Sequence, residues 1–328
     1  MAKRFVVLAI WFALACAIAP ASIEKASAEE FPSRPITWVV PFAPGGITDT
    51  TSRIVAEEMA KTLGQTVLID NRGGAGGTVG TEQVARAKPD GYTMIYGTQG
   101  TMAANVTLRK ELSYDPLKSF LPVHLVGESP NLFVAFEGAP YKTVPEFIAY
   151  AKANPGKVTF SSSGVGTATH LVAELFKTVT GIEMLHVPYK GSAPALNDLI
   201  AGRLDVMFDY PVSVGPHVEA GKLKVLATTA PERLRAFPNA PTMAELGLTE
   251  MTTQSWSCIM VPAGTPAAIV DRLAAAAHAA LTSERVRTHF ERVGTRPMLL
   301  QKAEMIPFIE QEIKRWGDVI ERAKLEKQ

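Results

Sequence analysis

The chain has 328 residues with 33 basic and 32 acidic side chains, a formal net charge of +1, and is 47% hydrophobic. That balance excludes a strongly basic nucleic-acid-binding face, and the length suffices for two domains of about 100–200 residues each. With only Cys16 and Cys258 available, cysteine chemistry is marginal from the outset.

Read in chain order, the first segment is an export signal. Lys3 and Arg4 precede an apolar run, Phe5 to Ala19, that is too short to favour a transmembrane span. Small residues suited to cleavage follow at Ala17-Ile18-Ala19 and, better, at Ala26-Ser27-Ala28, so a cut after Ala28 is expected. Residues 1–28 take away Lys3, Arg4, Lys25 and Glu24, leaving 30 basic against 31 acidic residues and a net charge near −1. Only Cys258 remains after that cut, which excludes an intramolecular disulfide in the exported, soluble protein.

The mature chain then alternates short β-branched runs with helical patterns. Strands are predicted at Ile36–Val40, Thr66–Ile69, Tyr92–Tyr96, Leu132–Phe136, Val158–Phe160, Met184–Val187, Val206–Asp209 and Val225–Thr228. Helices are predicted after Gly46 up to a stop at Gly64, and at Thr81–Ala87, Val144–Ala153, Thr169–Thr180, Pro194–Ala201, Pro266–Leu281 and Ala303–Lys327. The last carries Ile306, Ile309, Ile313, Trp316, Val319 and Ile320 on one face. The alternation implies βαβ units, parallel sheets and the α/β class. Val123–Phe136 and Lys224–Pro231 are extended and apolar, as domain crossings are. The expected division is therefore 29–128 with 229–328 in one domain and 129–228 in the other, with a cleft between them that closes by hinge motion.

Three strand–turn–helix corners stand out. Phe42-Ala43-Pro44-Gly45-Gly46-Ile47-Thr48-Asp49 follows the first strand, and Ser161-Ser162-Ser163-Gly164-Val165-Gly166-Thr167-Ala168-Thr169-His170 follows another, with Thr167 or Thr169 placed to cap the helix. The third is Val187-Pro188-Tyr189-Lys190-Gly191-Ser192-Ala193-Pro194. A helix start offers unpaired N–H donors and the positive end of the dipole, so such corners suit an anion. Together they suit a carboxylate held by hydrogen bonds. Asp209, at the end of a strand, either meets a ligand's amine or hydroxyl or caps a helix. The glycine-rich stretch Asn71–Gly80 places Val79 where a dinucleotide fingerprint needs its third glycine, and no phosphate loop exists. The scattered histidines have no metal-ligand spacing, and no serine sits in a nucleophile elbow. No cofactor, metal or catalytic group is expected.

With those residues in order, the chain resembles the periplasmic substrate-binding receptors of tripartite tricarboxylate transporters, the Bug or TctC family. The resemblance rests on Pro44-Gly45-Gly46 with Asp49 and Arg53, on Asn71-x-x-Gly-Ala-Gly-Gly-x-x-Gly80, and on Lys88-Pro89-Asp90-Gly91-Tyr92. It continues through Gly164-x-Gly166-Thr167-x-x-His170-Leu171, Tyr189-Lys190-Gly191, Asp205-x-Met207-Phe208-Asp209, Pro216-His217, Gly221-Lys222-Leu223 and Pro262-Ala263-Gly264-Thr265-Pro266. It implies two α/β domains in a Venus-flytrap arrangement and a monomeric periplasmic receptor that hands a small carboxylate to membrane permease subunits. By position it implies ligand roles for Phe42, Gly46, Ile47, Thr48 and Asp49, for Ser163, Thr167 and His170, for Lys190, Gly191 and Asp209, and for Thr98 and Gln99. Two departures are Thr167 where Ser is usual and Cys258 where Gly is usual, the latter expected to alter local geometry or the pocket wall. The competing reading is an exported sensor of the same fold that presents its ligand to a signalling partner; an enzyme ranks below both, because no nucleophile–base pair can be assembled.

Overall fold

The structure is a computed structural model that describes residues 31–327, so the expected export signal at 1–28 lies outside the described residues. Strand β1 (Ile36–Val40) runs into helix α1 (Ile47–Leu63), which stops at Gly64 in the left-handed conformation that a residue without Cβ adopts freely. Strand β2 (Val67–Asn71), helix α2 (Thr78–Ala85) and strand β3 (Thr93–Thr98) complete a parallel unit. A helical turn at Gly100–Ala104 leads into the short α3 (Asn105–Leu108) and then the long β4 (Phe120–Pro130).

After Asn131 the chain enters a second sheet as β5 (Leu132–Phe136). There follow α4 (Val144–Ala153), β6 (Thr159–Ser162), α5 (Ala168–Thr180), β7 (Leu185–Pro188), α6 (Ser192–Ile200), β8 (Val206–Asp209), α7 (Pro211–Glu219) and β9 (Leu223–Thr228). The return is made by β10 (Gln254–Pro262), and α8 (Ala267–Thr282), α9 (Glu284–Arg292), β11 (Arg296–Pro297) and α10 (Met305–Arg322) close the chain. Among the described residues no helix is long and apolar enough to cross a membrane.

Both sheets are mixed rather than purely parallel. The first has the order β11-β4-β10-β3-β1-β2, with β10 antiparallel to β3 and β4; the second has the order β7-β6-β8-β5-β9, with β5 antiparallel to β8 and β9. The reason is topological. A strand that arrives from the other sheet starts at the cleft and runs away from it, against neighbours that end there, and β5 and β10 are those arrivals. The return crossing also comes later than Lys224–Pro231. Met243 and Met251 are packed in the same core as Phe133, Phe160 and Phe208 of the second sheet, so the chain goes back to the first sheet only at Thr252–Gln254.

Each sheet is covered on both faces. Trp38 and Tyr96, stacked at 5.7 Å, belong to the core between the first sheet and helices α1 and α8. On the opposite face α10 buries Met305, Ile309, Trp316, Val319 and Ile320, whereas Ile306, expected on the inward face, is 38% exposed. The buried Glu312 of that helix accepts hydrogen bonds from the indole N–H groups of both Trp256 (2.6 Å) and Trp316 (3.0 Å), which satisfies an otherwise costly buried carboxylate. In the second sheet Phe133 stacks on Phe208 at 4.5 Å within a cluster that also takes in Phe147 and Phe176.

Candidate functional site

The cleft lies where the carboxyl ends of β1, β3 and β4 meet those of β6, β7 and β8; α1, α5 and α6 begin there, and α7 begins after Tyr210 on its far wall. Gly46, Thr167 and Gly191 are the residues that precede α1, α5 and α6, which have 17, 13 and 9 residues. In α1 the N–H groups of Asp49 and Thr50 both bond the Gly46 carbonyl, so those of Ile47 and Thr48 have no partner inside the helix. In α5 the first internal bonds are from His170 and Leu171 to the Thr167 carbonyl, which leaves the N–H groups of Ala168 and Thr169 ahead of the ladder. Ile47, Thr48, Ala168 and Ser192 all border the cleft, and among the described residues no Lys, Arg or His side chain does. The positive potential is therefore supplied by oriented backbone and the dipoles of these helices.

Each corner is braced from behind. Asp49 accepts from the Gly45 N–H (2.9 Å) and pairs with Arg53 at 2.8 Å. Burial pushes its carboxyl up, but the hydrogen bonds from Arg53, Gly45 and Asn71 together hold it below the usual carboxylate value. At the second corner the Thr169 hydroxyl accepts the Ser163 N–H (3.0 Å) and contacts the hydroxyls of Ser163 and Thr167. Thr167 precedes α5 but its hydroxyl donates to the Gly164 carbonyl (2.6 Å), so neither threonine caps the helix in the expected way. Beneath the loop, His170 takes the Gly166 N–H on Nδ1 at 3.3 Å and its ring stacks on His186 at 4.1 Å. His186 in turn pairs with the Ser162 hydroxyl at 2.6 Å. Burial, then the nearby His186 and Lys177, pushes His170 down to about 3; burial, then Lys177, takes His186 to about 4, so both rings are neutral at physiological pH.

Of the residues expected to hold a ligand, Phe42, Gly46, Ile47, Thr48, Thr98, Gln99, Ser163, Thr167 and Gly191 border one cavity. Four others do not. Asp49 and His170 stand behind their corners, and the Lys190 side chain is exposed while its carbonyl accepts the Ala43 N–H at 3.1 Å. Asp209 is fully buried behind Ser192, whose hydroxyl donates to it at 2.9 Å, and it also accepts the Tyr210 N–H at 2.8 Å. Burial pushes its carboxyl up to about 7 against those two bonds. Cys258 is buried in the core against Gly97 and does not border the cavity, and the pairing of β10 with β4 shifts register between Ser257 and Cys258.

Sequence reasoning missed the far wall: Tyr96, Ser129, Tyr210, Ser255, Ser257 and Thr295. Ser255 and Ser257 are one strand period apart, a pattern legible in principle once β10 is recognised.

The glycine-rich stretch after β2 closes the cleft's rim. A Cβ on Gly76, whose φ is +65°, would lie 2.0 Å from the Val165 carbonyl oxygen, so only glycine allows that approach. Arg109 ties the same rim, donating from Nη2 to the Ala75 carbonyl at 2.7 Å and to that of Val165 at 3.5 Å.

Two α/β sheets joined by two crossings, with helix starts converging on the cleft between them, define a periplasmic-binding-protein fold. Residues 51–325 match the model of the tripartite tricarboxylate transporter family receptor, and the chain belongs to that family of solute-binding receptors. It is similar to protein BugT of Bordetella pertussis, 36% identical over 321 residues that cover 98% of this chain and 97% of BugT. Its fold is similar to that of the periplasmic binding protein BugD (TM-score 0.88, 35% identity, 91% of this chain and 100% of that one). It is likewise similar to MatC of Rhodopseudomonas palustris with bound malate (TM-score 0.84, 38% identity, 88% and 100% covered).

Proposed function

We propose that this protein is a non-catalytic periplasmic receptor that captures a small carboxylate in the cleft and delivers it to the permease subunits of a tripartite tricarboxylate transporter. The observation that carries the reading is the convergence of helix starts, those of α1, α5 and α6 foremost, on a cavity that no cationic side chain borders among the described residues. Free N–H groups there solvate an anion without a counter-ion to desolvate. The malate bound by MatC, a relative of the same fold, supports the carboxylate class. Phe42, Gly46, Ile47, Thr48, Thr98, Gln99, Ser163, Thr167 and Gly191 are assigned to the ligand, and Asp49, His170 and Asp209 to bracing the groups that touch it. Two hinged domains are assigned, the first crossing at Pro130–Leu132 and the second at Thr252–Gln254.

A thermal-shift screen of aliphatic and aromatic carboxylates tests this, since a ligand that binds only the folded state raises its stability. The expected result is a stabilising acid that mass spectrometry recovers unchanged after incubation. Steady conversion of the bound acid would overturn the receptor reading, and stabilisation by neutral compounds alone would overturn the anion site.

A further inference from the structure

Asp209 ends β8 with its side chain wholly buried, one hydroxyl away from the cavity. Its Oδ1 accepts the Ser192 hydroxyl at 2.9 Å and the Tyr210 N–H at 2.8 Å, whereas Oδ2 has no partner among the described residues. Ser192 is the first residue of α6 and borders the cavity. It also faces the α1 corner across the cleft, where a Cβ on Gly46 would lie 3.7 Å from the Ser192 Oγ. The hydroxyl thus stands between a buried carboxyl and the helix starts that receive an anion. While Asp209 is ionised, the Ser192 proton points away from the cavity. An arriving carboxylate then meets lone pairs on Ser192 and a second negative charge directly behind it, and both oppose binding.

We propose that the ligand is captured together with one proton, taken from solvent onto the Asp209 carboxyl. The protonated carboxyl donates to Ser192 Oγ, and Ser192 turns its own proton to the ligand carboxylate. Each pair of oxygens then shares one proton, and the complex holds one negative charge fewer than its separated parts. Asp209 is a positioning residue that acts through Ser192. This inference rests on the carboxylate reading of the cleft. β8 lies between β5 and β6, packs with α5 and α6, and is followed by α7. β5 and β6 carry no titratable side chain; α5 carries His170, Glu174 and Lys177, α6 Asp198, and α7 His217 and Glu219, with Tyr210 just before it. Among the described residues only Tyr210 is linked to Asp209 by charge, and its phenol, pushed up by burial to about 12, stays neutral. Burial raises Asp209 itself to about 7 against the bonds from Tyr210 and Ser192, so its proton exchanges near neutrality.

Calorimetry on the purified chain tests this with aliphatic mono- and dicarboxylates of two to eight carbons, at pH 8 in two buffers of different ionisation enthalpy. Binding of the tightest acid should take up about 0.5–1 proton, and its affinity should fall about tenfold or more from pH 6.5 to 9. Asp209→Asn keeps an oxygen for Ser192 and Tyr210 but never ionises, so its affinity should be level over that range with no proton taken up. The infrared difference spectrum of the parent at pH 8 should also gain the C=O band of a protonated carboxylic acid on binding, a readout that needs no variant. Binding without proton uptake, uptake that survives in Asp209→Asn, or absence of that band overturns the inference and leaves the carboxylate site standing. Failure of every acid in the panel to bind overturns both.

Discussion

The corners before α1 and α5 perform the same task with different chemistry. Both end a strand and start a helix at the cleft. The first is braced by charge: the Asp49 carboxylate holds the Gly45 N–H and is itself paired with Arg53, whose side chain is 51% exposed. The second is braced directly by uncharged groups, the hydroxyls of Ser162, Ser163, Thr167 and Thr169 and the pair His170 and His186, with the Glu174–Lys177 ion pair one step behind His170. The difference teaches that a loop can be fixed from behind by either means, provided no brace places a cation in the cavity. A neutral brace is permanent, whereas a charged one depends on salt and a histidine one on pH.

The largest expected effect separates the corners from each other altogether. Gly76→Ala drives a Cβ into the Val165 carbonyl and strains a left-handed backbone. The rim then stays open, and affinity for every ligand should fall by about a hundredfold, near 2.7 kcal/mol. Calorimetry with small-angle scattering checks this: tight binding with normal compaction would show that the rim contact is not needed for closure.

Acid should unsettle the α5 corner before the α1 corner. The folded pKa values of His170 and His186, about 3 and about 4, lie below the 6.5 of the unfolded chain. Between pH 6.5 and 4 the unfolded state thus binds more protons, and stability falls as pH falls through that window. Asp209 works in the opposite sense. Its pKa is raised to about 7, so the folded state holds the extra proton between pH 7 and 3.8 and gains from acidification. Asp49 is lowered, so its contribution persists until the pH drops below about 3.8. Denaturant melts at pH 7 and 5 should show a loss that His186→Phe reduces and Asp209→Asn increases. A flat profile in Asp209→Asn, where the opposing carboxyl is gone, would contradict the buried neutral imidazoles.

Thr169→Val keeps the shape of the second corner but leaves the Ser163 N–H and two hydroxyls without their shared partner. A loss of about 1–3 kcal/mol is expected, equal in low and high salt. A salt-dependent loss would mean that the corner is charged after all.

What the sequence disclosed follows from locality. The α1 corner and both neighbouring elements are written in adjacent residues: β-branched Ile36–Val40, then Pro44-Gly45-Gly46, then a periodic helix ending at Gly64. Helix α4 and strands β5 and β8 were legible in the same way. Strand β10 was not, because its pairing with β3 and β4 is decided by residues more than a hundred positions away. Helix α7 was hidden by Pro211 and Pro216, and α9 by its charge, with only Val286 and Phe290 buried. Tyr210, Ser255, Ser257 and Thr295 of the far wall lie on or beside these late elements, so their hydroxyls escaped notice. The outward position of Lys190 and the burial of Asp209 behind Ser192 are tertiary facts that no local pattern carries.

The smallest effect concerns the charge on the first brace. Arg53→Gln removes the ion pair with Asp49 and keeps the helix propensity of the site. Asp49 retains the Gly45 N–H at 2.9 Å, and that bond, between a carboxylate and a backbone donor only 6% exposed on the acid's side, does the positioning. Arg53 is half in solvent, where its attraction is screened and its long side chain loses entropy on being held. The expected cost is about 0.5 kcal/mol or less at low salt and none near 1 M, where the screening length is about 3 Å. Ligand affinity should be unchanged, because Arg53 does not border the cavity. Titration of both proteins across salt concentrations decides the matter. A loss of affinity beyond about tenfold would mean that Arg53 supplies field to the ligand directly, and that the first corner, unlike the second, relies on a cation after all.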